Sequence, residues 1–360
     1  KLHNKGTLEL RNIGIASEYL PKKFIIKEGI FKINQDKMSF NNFLAAYGQS
    51  DFKMNGYLQN VFNYATTNTG VLKGSFKSTS RYINVDEFMS STTTNTAATA
   101  TTTETKPKAQ PAQTGVIIIP ANLNLQFTAN AQKVNFDKLN LQNATGHLTM
   151  NKGKLNMQNT GFNLIGCNVS MNANYQAVTP QKANFDYAIK ATDFDIKRAY
   201  NEIEVFRKMA SAAEKAQGIV SLDYQLKGRL NGNMDPVYPS LVGGGTLSVK
   251  DVKVRGLKMF NAVSKQTNSE SMKNPDLSKV DIKSTVKNNI ITVERFKFKF
   301  AGFRPRIEGT TSLDGKLNLK MRLGLPPFGI FGIPLTVTGT GENPKVKVGR
   351  KTEDLEETKD

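Results

Sequence analysis

The chain has 360 residues, enough for two or more ordinary domains or for one elongated repetitive domain. It carries 49 Lys and Arg residues against 30 Asp and Glu residues, a formal net charge of +19, and only 11 of the 49 are Arg. Nucleic-acid readers rely on the bidentate guanidinium of Arg, so a Lys-rich surface instead favours solubility or loose attraction to anionic membranes. The single cysteine, Cys167, excludes a disulfide framework and a cysteine-based metal site.

The N-terminal residues lack an initiator Met and the apolar centre of a signal peptide. We therefore expect residue 1 to lie inside a longer protein, with any targeting segment or membrane anchor outside this sequence. No stretch reaches the ~18 consecutive apolar residues that a membrane-spanning helix needs.

Polar and apolar residues alternate with period two along most of the chain, which predicts β-strands. Residues 1–89 and 115–198 are predicted as two β-repeat regions, with a short apolar strand at 115–120 and an alternating strand at 122–129. Residues 90–114 between them are rich in Thr, Ala and Pro and hold no large apolar residue. Such a segment has nothing to bury against the entropy of ordering, so it predicts a flexible linker.

An internal repeat links distant parts of the chain. Residues 33–58 align without gaps on residues 150–175, and a third copy covers 286–313. In the first pair Met38 meets Leu155 and Phe40 meets Met157. Each copy has the order turn, strand, bend, strand, turn, and repetition of hairpins predicts one extended or closed sheet.

Two amphipathic helices are predicted to interrupt the strands. The first covers residues 199–217, with an apolar stripe that includes Ile203 and Phe206, and Gly218 is predicted to end it. The second covers residues 257–266, with Leu257 and Phe260 on its apolar side. We expect both to pack as caps against the sheet.

Candidate chemical groups are few and favour structural roles. Two histidines cannot supply a convincing triad or zinc site, and the pattern around each predicts plain exposure. Asp193 and Asp195 share one strand face but precede the first predicted helix, where acidic groups favour the helix N-terminus. The glycine run 243–245 lacks the Lys-Ser/Thr of a phosphate loop and is predicted to be a bend before a strand at 246–254. The two histidines are His3 and His147. We therefore predict no enzymatic activity, no bound metal and no cofactor.

The strongest apolar pattern lies near the C-terminus. Residues 282–286, 290–293 and 296–300 are predicted as successive strands with a turn at 287–289, and further strands follow at 317–323 and 335–338. Phe296, Phe298 and Phe300 must share one strand face, with Lys297 and Lys299 on the other. Aromatic and cationic side chains usually share a face when they stack single-stranded bases. Their separation here instead predicts a core or an apolar groove.

From residue 199 onward the order of these features resembles the C-terminal region of the AsmA family, which includes TamB-like relatives. The resemblance rests on the helix ended by Gly218, the strand 220–228, the passage 241–257 with its three glycines, the run 333–340 and the segment 343–348. It predicts an AsmA-like C-terminal region at 199–350, followed by a charged tail at 351–360.

What the resemblance implies is a mainly β fold: an elongated, curved antiparallel sheet of repeated hairpins with a groove and two short amphipathic helices. The protein would be periplasmic and anchored to the inner membrane. It would bind phospholipid in the groove and support lipid transport and outer-membrane biogenesis. Two alternatives stay open, an envelope assembly factor that engages outer-membrane proteins and a plain β-sandwich adhesion module. The groove candidates are Ile291, Val293, Phe296, Phe298, Phe300, Leu317 and Leu319.

Overall fold

The structure is a computed structural model that describes residues 5–17, 19–89, 115–326 and 328–349. The predicted linker 90–114, the predicted tail 351–360 and His3 lie outside these residues. The fold is mainly β, with 66% strand and 14% helix. Its eighteen strands belong to one hydrogen-bonded sheet, so the predicted antiparallel β-sheet architecture is confirmed.

Two compact units divide the chain. The first contains residues up to 160 together with 173–185 and 229–236, and the second contains 161–172, 186–228 and the residues from 237 onward. In the first unit, seven strands pair in chain order, and a short helix, α1 (Val61–Thr66), joins the fourth strand to the fifth. These strands are β1 (Lys5–Ser17), β2 (Leu20–Asn34), β3 (Lys37–Tyr47), β4 (Ser50–Gln59), β5 (Leu72–Asn84), β6 (Leu123–Phe136) and β7 (Leu139–Asn151).

The pairing of β5 with β6 departs from the antiparallel pattern, because these two strands run parallel. Parallel neighbours need a crossover connection of a dozen or more residues. The chain between Asn84 and Leu123 supplies that length. It begins with a 3-10 turn, Val85–Phe88.

Eleven further strands follow β7, and the last eight of them form an antiparallel meander in chain order. They are β8 (Lys154–Leu164), β9 (Cys167–Thr179), β10 (Lys182–Asp195), β11 (Ala216–Leu230), β12 (Val242–Val254), β13 (Asp276–Lys287), β14 (Ile290–Lys297), β15 (Arg304–Ser312), β16 (Lys316–Gly324), β17 (Gly332–Thr340) and β18 (Pro344–Val348).

The internal repeat corresponds to repeated local structure. Strands β3 and β4 occupy the first copy, and β8 and β9 occupy the aligned positions of the second. The turns match as well, because the aligned residues Gln35 and Lys152 have φ values of 56° and 49°. Gly48 and its aligned residue Ile165 also share positive φ, at 55° and 49°. The predicted order of turn and strand is therefore confirmed.

The first predicted helix is wrong in extent. Residues 199–217 form part of α2 (Ile196–Glu202), then α3 (Glu204–Met209) and a 3-10 turn, after which β11 begins at Ala216. Gly218 lies inside that strand, and a Cβ on it would come within 2.0 Å of the Asp251 carbonyl oxygen. The sequence pattern predicted Gly218 to end a helix, but this glycine instead allows close approach of two strands. The second prediction is confirmed by α4 (Lys258–Thr267).

Two predicted local structures need correction. Residues 115–120 are not a strand, although Val116 is fully buried and its amide donates to the Pro180 carbonyl. The glycine run is not a bend, because Gly243 and Gly245 lie within β12 and pair with its neighbours. A Cβ on either glycine would lie 2.1 Å from a carbonyl oxygen of β11, so these glycines permit close strand approach.

Candidate lipid-binding faces

A β-bulge places the predicted groove residues on one face of the sheet. Val293 pairs with Gly309, but the next apolar residue to pair, Phe296, meets Ile307, so β14 holds one extra residue there. Without the extra residue, Arg295 would point to the same side of the sheet as Ile291 and Val293. With it, the side-chain alternation shifts by one residue, and Phe296 points to that side instead. The separate strand predicted at 296–300 is therefore wrong, because Phe296 continues β14.

Cross-strand pairing extends this face over β15, β16 and β17. Val293, Gly309, Leu319 and Val337 form one row, and Leu317 belongs to the adjacent row through Thr311 and Ile291. The Phe296 and Phe298 rings stack with centroids 6.2 Å apart. Phe300 pairs beyond the strand with Phe303. We call the seven predicted residues the C-terminal face.

Three of the seven residues of the C-terminal face are buried. Ile291 and Phe298 are each 5% exposed and Leu319 is 9% exposed, whereas Val293, Phe296, Phe300 and Leu317 are half-buried. α4 packs against β18, and its side chains Phe260 and Val263 are buried. Ile291, Phe298 and Leu319 therefore have the burial of conventional core residues.

A second apolar face crosses the first unit. Phe31 pairs with Phe40, Phe40 with Gly56, Gly56 with Phe76, Phe76 with Phe127, and Phe127 with Leu148. A parallel row lies two residues away on each strand and therefore on the same side of the sheet. We call the apolar members of both rows the N-terminal face; the second row is Ile33, Met38, Leu58, Gly74, Leu125 and Met150.

Phenylalanine rings organise the first row. The rings of Phe31, Phe40 and Phe43 form a triangle with centroids 5.2–5.8 Å apart and tilted or edge-on geometry. Phe76 and Phe127 stack at 5.2 Å with an interplanar angle of 1°. These separations lie in the favourable range for aromatic pairs.

Glycines keep the two rows continuous. A Cβ on Gly56 would lie 2.4 Å from the Cβ of Phe76, and a Cβ on Gly74 would lie 2.8 Å from a methyl carbon of Leu58. The missing side chains leave space that Phe76 and Leu58 occupy. A larger residue at either glycine would separate the bulky groups on each side.

The buried cluster of the N-terminal face is built from strand side chains. The buried cluster around Phe31 and the half-buried side chains against it all come from β1 to β5. A sheet face normally buries its apolar side chains against a second layer. Here Leu58, Phe76 and Phe127 remain half-buried. The row between the two apolar rows is polar and belongs to the opposite face: Lys32, Ser39, Tyr57, Ser75, Gln126 and Thr149.

One end of the N-terminal face is occupied by an extended peptide. Val116 and Ile119 are buried, and this segment packs against Met150 and Leu155. The Tyr175 hydroxyl fixes it by donating to the Ile117 carbonyl oxygen at 2.7 Å. An extended apolar peptide therefore packs at the Met150 end of this face.

A polar cluster fixes the start of the crossover near β2 and β3. The Glu87 carboxylate accepts from Lys22 Nζ at 2.7 Å and from the Gln49 amide at 2.9 Å, and the Tyr47 hydroxyl donates to the Glu87 carbonyl. Burial by itself would raise the Glu87 pKa, but hydrogen bonds from Lys22 and Gln49 outweigh burial and hold that pKa below its usual value. The cluster anchors the chain at the point where it leaves β5.

The candidate chemical groups occupy structural positions. Asp195 caps α2 by accepting from the Arg198 amide at 2.7 Å, and Asp193 accepts from the Ser221 hydroxyl at 3.2 Å. His147 is exposed on β7, while Cys167 is buried, which raises its thiol pKa. Within the described ranges, no three metal-ligating side chains form a group that could hold an ion.

Sequence reasoning missed the N-terminal face. The repeat had aligned Met38 with Leu155 and Phe40 with Met157, which was the available signal. The partner of Phe76 could not be inferred, because a parallel pairing with β6 follows no local pattern.

No family model, curated protein or solved structure matches this chain. None of the helices in the described part of the chain has the length and apolar character to cross a membrane.

Proposed function

We propose that this chain is an AsmA-like lipid-binding protein of the Gram-negative periplasm that holds phospholipid acyl chains along the N-terminal face. It would support lipid transport and outer-membrane biogenesis as a protein anchored to the inner membrane. The observation that carries this proposal is the pair of continuous apolar rows from β2 to β7, in which Leu58, Phe76 and Phe127 remain half-buried. Acyl chains covering the rows would remove apolar surface from water.

The extended segment near Met150 also supports acyl-chain binding on the N-terminal face. Val116 and Ile119 present apolar groups to this face in a linear arrangement, as an acyl chain would. The proposed ligand site therefore lies over the half-buried side chains of Leu58, Phe76 and Phe127, beside the buried Phe31 and Phe40. The burial of Phe298 favours a role for the C-terminal face in stability instead.

The other functional readings gain less from the structure. A β-sandwich needs two facing sheets, whereas the eighteen strands belong to one sheet. An assembly factor engaging outer-membrane proteins would not need two continuous apolar rows.

Lipid extraction tests the proposal. The purified chain is extracted with organic solvent, and phospholipid per chain is measured by mass spectrometry for wild type, Phe127→Asp and Gln126→Asp. Adjacent residues on β6 point to opposite faces, so the two variants add the same charge on opposite sides of one strand. We expect Phe127→Asp to lose most of the lipid and Gln126→Asp to retain it.

Circular dichroism and thermal melting show whether both variants keep the sheet. Equal lipid content in the two folded variants would overturn the placement on this face. Absence of lipid from the wild-type chain, both as purified and after incubation with phosphatidylethanolamine and phosphatidylglycerol vesicles, would overturn lipid binding itself.

A further inference from the structure

The hairpin between β16 and β17 ends in three exposed apolar side chains. Phe328, Ile330 and Phe331 are 67%, 60% and 78% exposed, the highest values for large apolar residues in the described chain. We call these three side chains the apolar tip. Isolated exposed apolar residues are ordinary, but three on one short hairpin form a patch of the kind that marks interaction sites.

Hydrogen bonds connect several backbone groups near the apolar tip. The Leu325 amide donates to the Phe331 carbonyl at 2.7 Å, and the Gly329 amide donates to the Leu325 carbonyl at 2.8 Å. The Arg322 guanidinium also donates to the carbonyls of Gly329 and Ile330, at 3.0 and 2.7 Å. These hydrogen bonds hold the backbone that carries Ile330 and Phe331, which reduces the entropy lost on binding.

Gly329 is required for this geometry. Its φ is +78°, and a Cβ there would lie 2.9 Å from the Arg304 side chain. The Arg304 side chain lies against the loop backbone at Gly329. Arg304 and Arg322 thus place cationic groups next to the apolar tip and help to shape the loop.

A second hairpin lies beside the first. The β14–β15 connection is closed by hydrogen bonds between Phe300 and Phe303. A Cβ on Gly302 would lie 3.2 Å from the Pro326 side chain, which shows that the two hairpin ends are in contact. Exposed Lys297 and Lys299 precede this second turn.

The charge around the two hairpins has one sign. Residues 295–307 and 315–341 contain no Asp or Glu. An apolar group with cations on its own and the neighbouring hairpin matches the interface of an anionic bilayer, where apolar side chains enter the acyl boundary and cations meet lipid phosphates. An apolar protein groove would have no need of these cations.

We propose that the apolar tip, with the cations Lys297, Lys299, Arg304 and Arg322, docks this end of the second unit onto an anionic phospholipid membrane. Phe328, Ile330 and Phe331 would enter the headgroup and acyl boundary. This docking is independent of acyl-chain binding on the N-terminal face.

The lack of Trp in the chain provides a direct test. Phe331→Trp places one reporter on the apolar tip, and Phe62→Trp places a matched reporter on α1, where Phe62 is 49% exposed. With vesicles containing phosphatidylglycerol, we expect a blue shift and quenching by brominated acyl chains for Phe331→Trp alone. Equal responses at the two positions would overturn the proposal.

Vesicle sedimentation measures the energetic contribution. Phe331→Ser should weaken binding to phosphatidylglycerol vesicles about tenfold, since burial of one large apolar side chain has that magnitude. Phe62→Ser should leave binding unchanged, and Lys299→Gln should weaken it about fivefold at low salt. Equal binding to neutral phosphatidylcholine vesicles would overturn the anionic specificity.

Self-association is the competing outcome. A concentration-dependent blue shift of Phe331→Trp without vesicles would identify a second copy as the partner and overturn membrane docking. Lipid content distinguishes membrane docking from acyl-chain binding on the N-terminal face, because Phe331→Ser should keep its extracted phospholipid. Phe127→Asp should conversely lose bound phospholipid but still sediment with vesicles.

Discussion

The Phe76 and Phe127 rings stack 5.2 Å apart across the parallel boundary between β5 and β6. This contact joins the phenylalanine cluster of β2 to β4 to the apolar residues of β6 and β7. Without it the first unit would carry two short apolar patches. With it the apolar rows continue over six strands, β2 to β7, which is the basis for placing acyl chains there.

Photo-crosslinking should separate the two apolar faces. With a benzoylphenylalanine at position 127 or 298, we expect phospholipid adducts at Phe127 and few at Phe298, because Phe298 is 5% exposed and packed in protein. Adducts are measured by mass spectrometry of the intact chain. Stronger labelling at Phe298 would return the groove to the C-terminal face.

Charge at Phe298 should unfold the second unit. Phe298→Asp places a carboxylate among buried apolar groups, and we expect a loss of about 3 kcal/mol or more in the free energy of unfolding. Phe298→Leu should cost about 1.5 kcal/mol or less, because it keeps most of the apolar volume. Urea denaturation followed by circular dichroism measures both, and a fully stable Phe298→Asp would contradict the filled core.

Acid should weaken the polar cluster at Glu87. Its pKa is lowered in the folded chain, so its contribution is fully present above the unfolded value near 4.5 and is lost as pH falls through the folded pKa. We expect Glu87→Gln to lower the free energy of unfolding by about 1–3 kcal/mol at pH 7. The difference from wild type should shrink below pH 4.5.

The control for this titration is Glu28→Gln, since Glu28 is exposed on β2. That variant should follow wild type in denaturant titrations at pH 7. A pH-independent gap between Glu87→Gln and wild type would show that the carboxylate charge is not what stabilises the cluster.

The apolar segment at residues 115–120 should be essential to the stability of the first unit. Val116 is fully buried, so Val116→Asp should lower the free energy of unfolding by about 3 kcal/mol or more. Ala121→Asp adds the same charge at an exposed turn position and should change stability by less than about 0.5 kcal/mol. Equal melting temperatures for the two variants would refute the packing of Val116 against Tyr175 and Ala183.

Local patterns were sufficient for the strands and many turns. Alternating residues determine which side of a strand is apolar, and the turn after β13 was evident from Asn288 and Asn289, both with positive φ. The fold class and the repeated hairpins follow from such short-range signals. The amphipathic pattern of α4 was equally local.

Glycines misled the same reasoning where their role was tertiary. Gly218 has the position expected of a helix terminator, and the run 243–245 looked like a bend. Both instead lie in strands where a neighbouring backbone leaves no room for a Cβ. Sequence cannot distinguish these uses, because a glycine removes the same side chain in each.

The sequence by itself determined that this is a repetitive β protein with segregated apolar and cationic strand faces. Only the tertiary structure decided which residues of each apolar face are buried and which remain half-buried. A single extra residue in β14 reverses the side-chain alternation, and a parallel pairing joins Phe76 to Phe127. Both depend on register between strands, which is fixed by contacts between residues far apart in the chain.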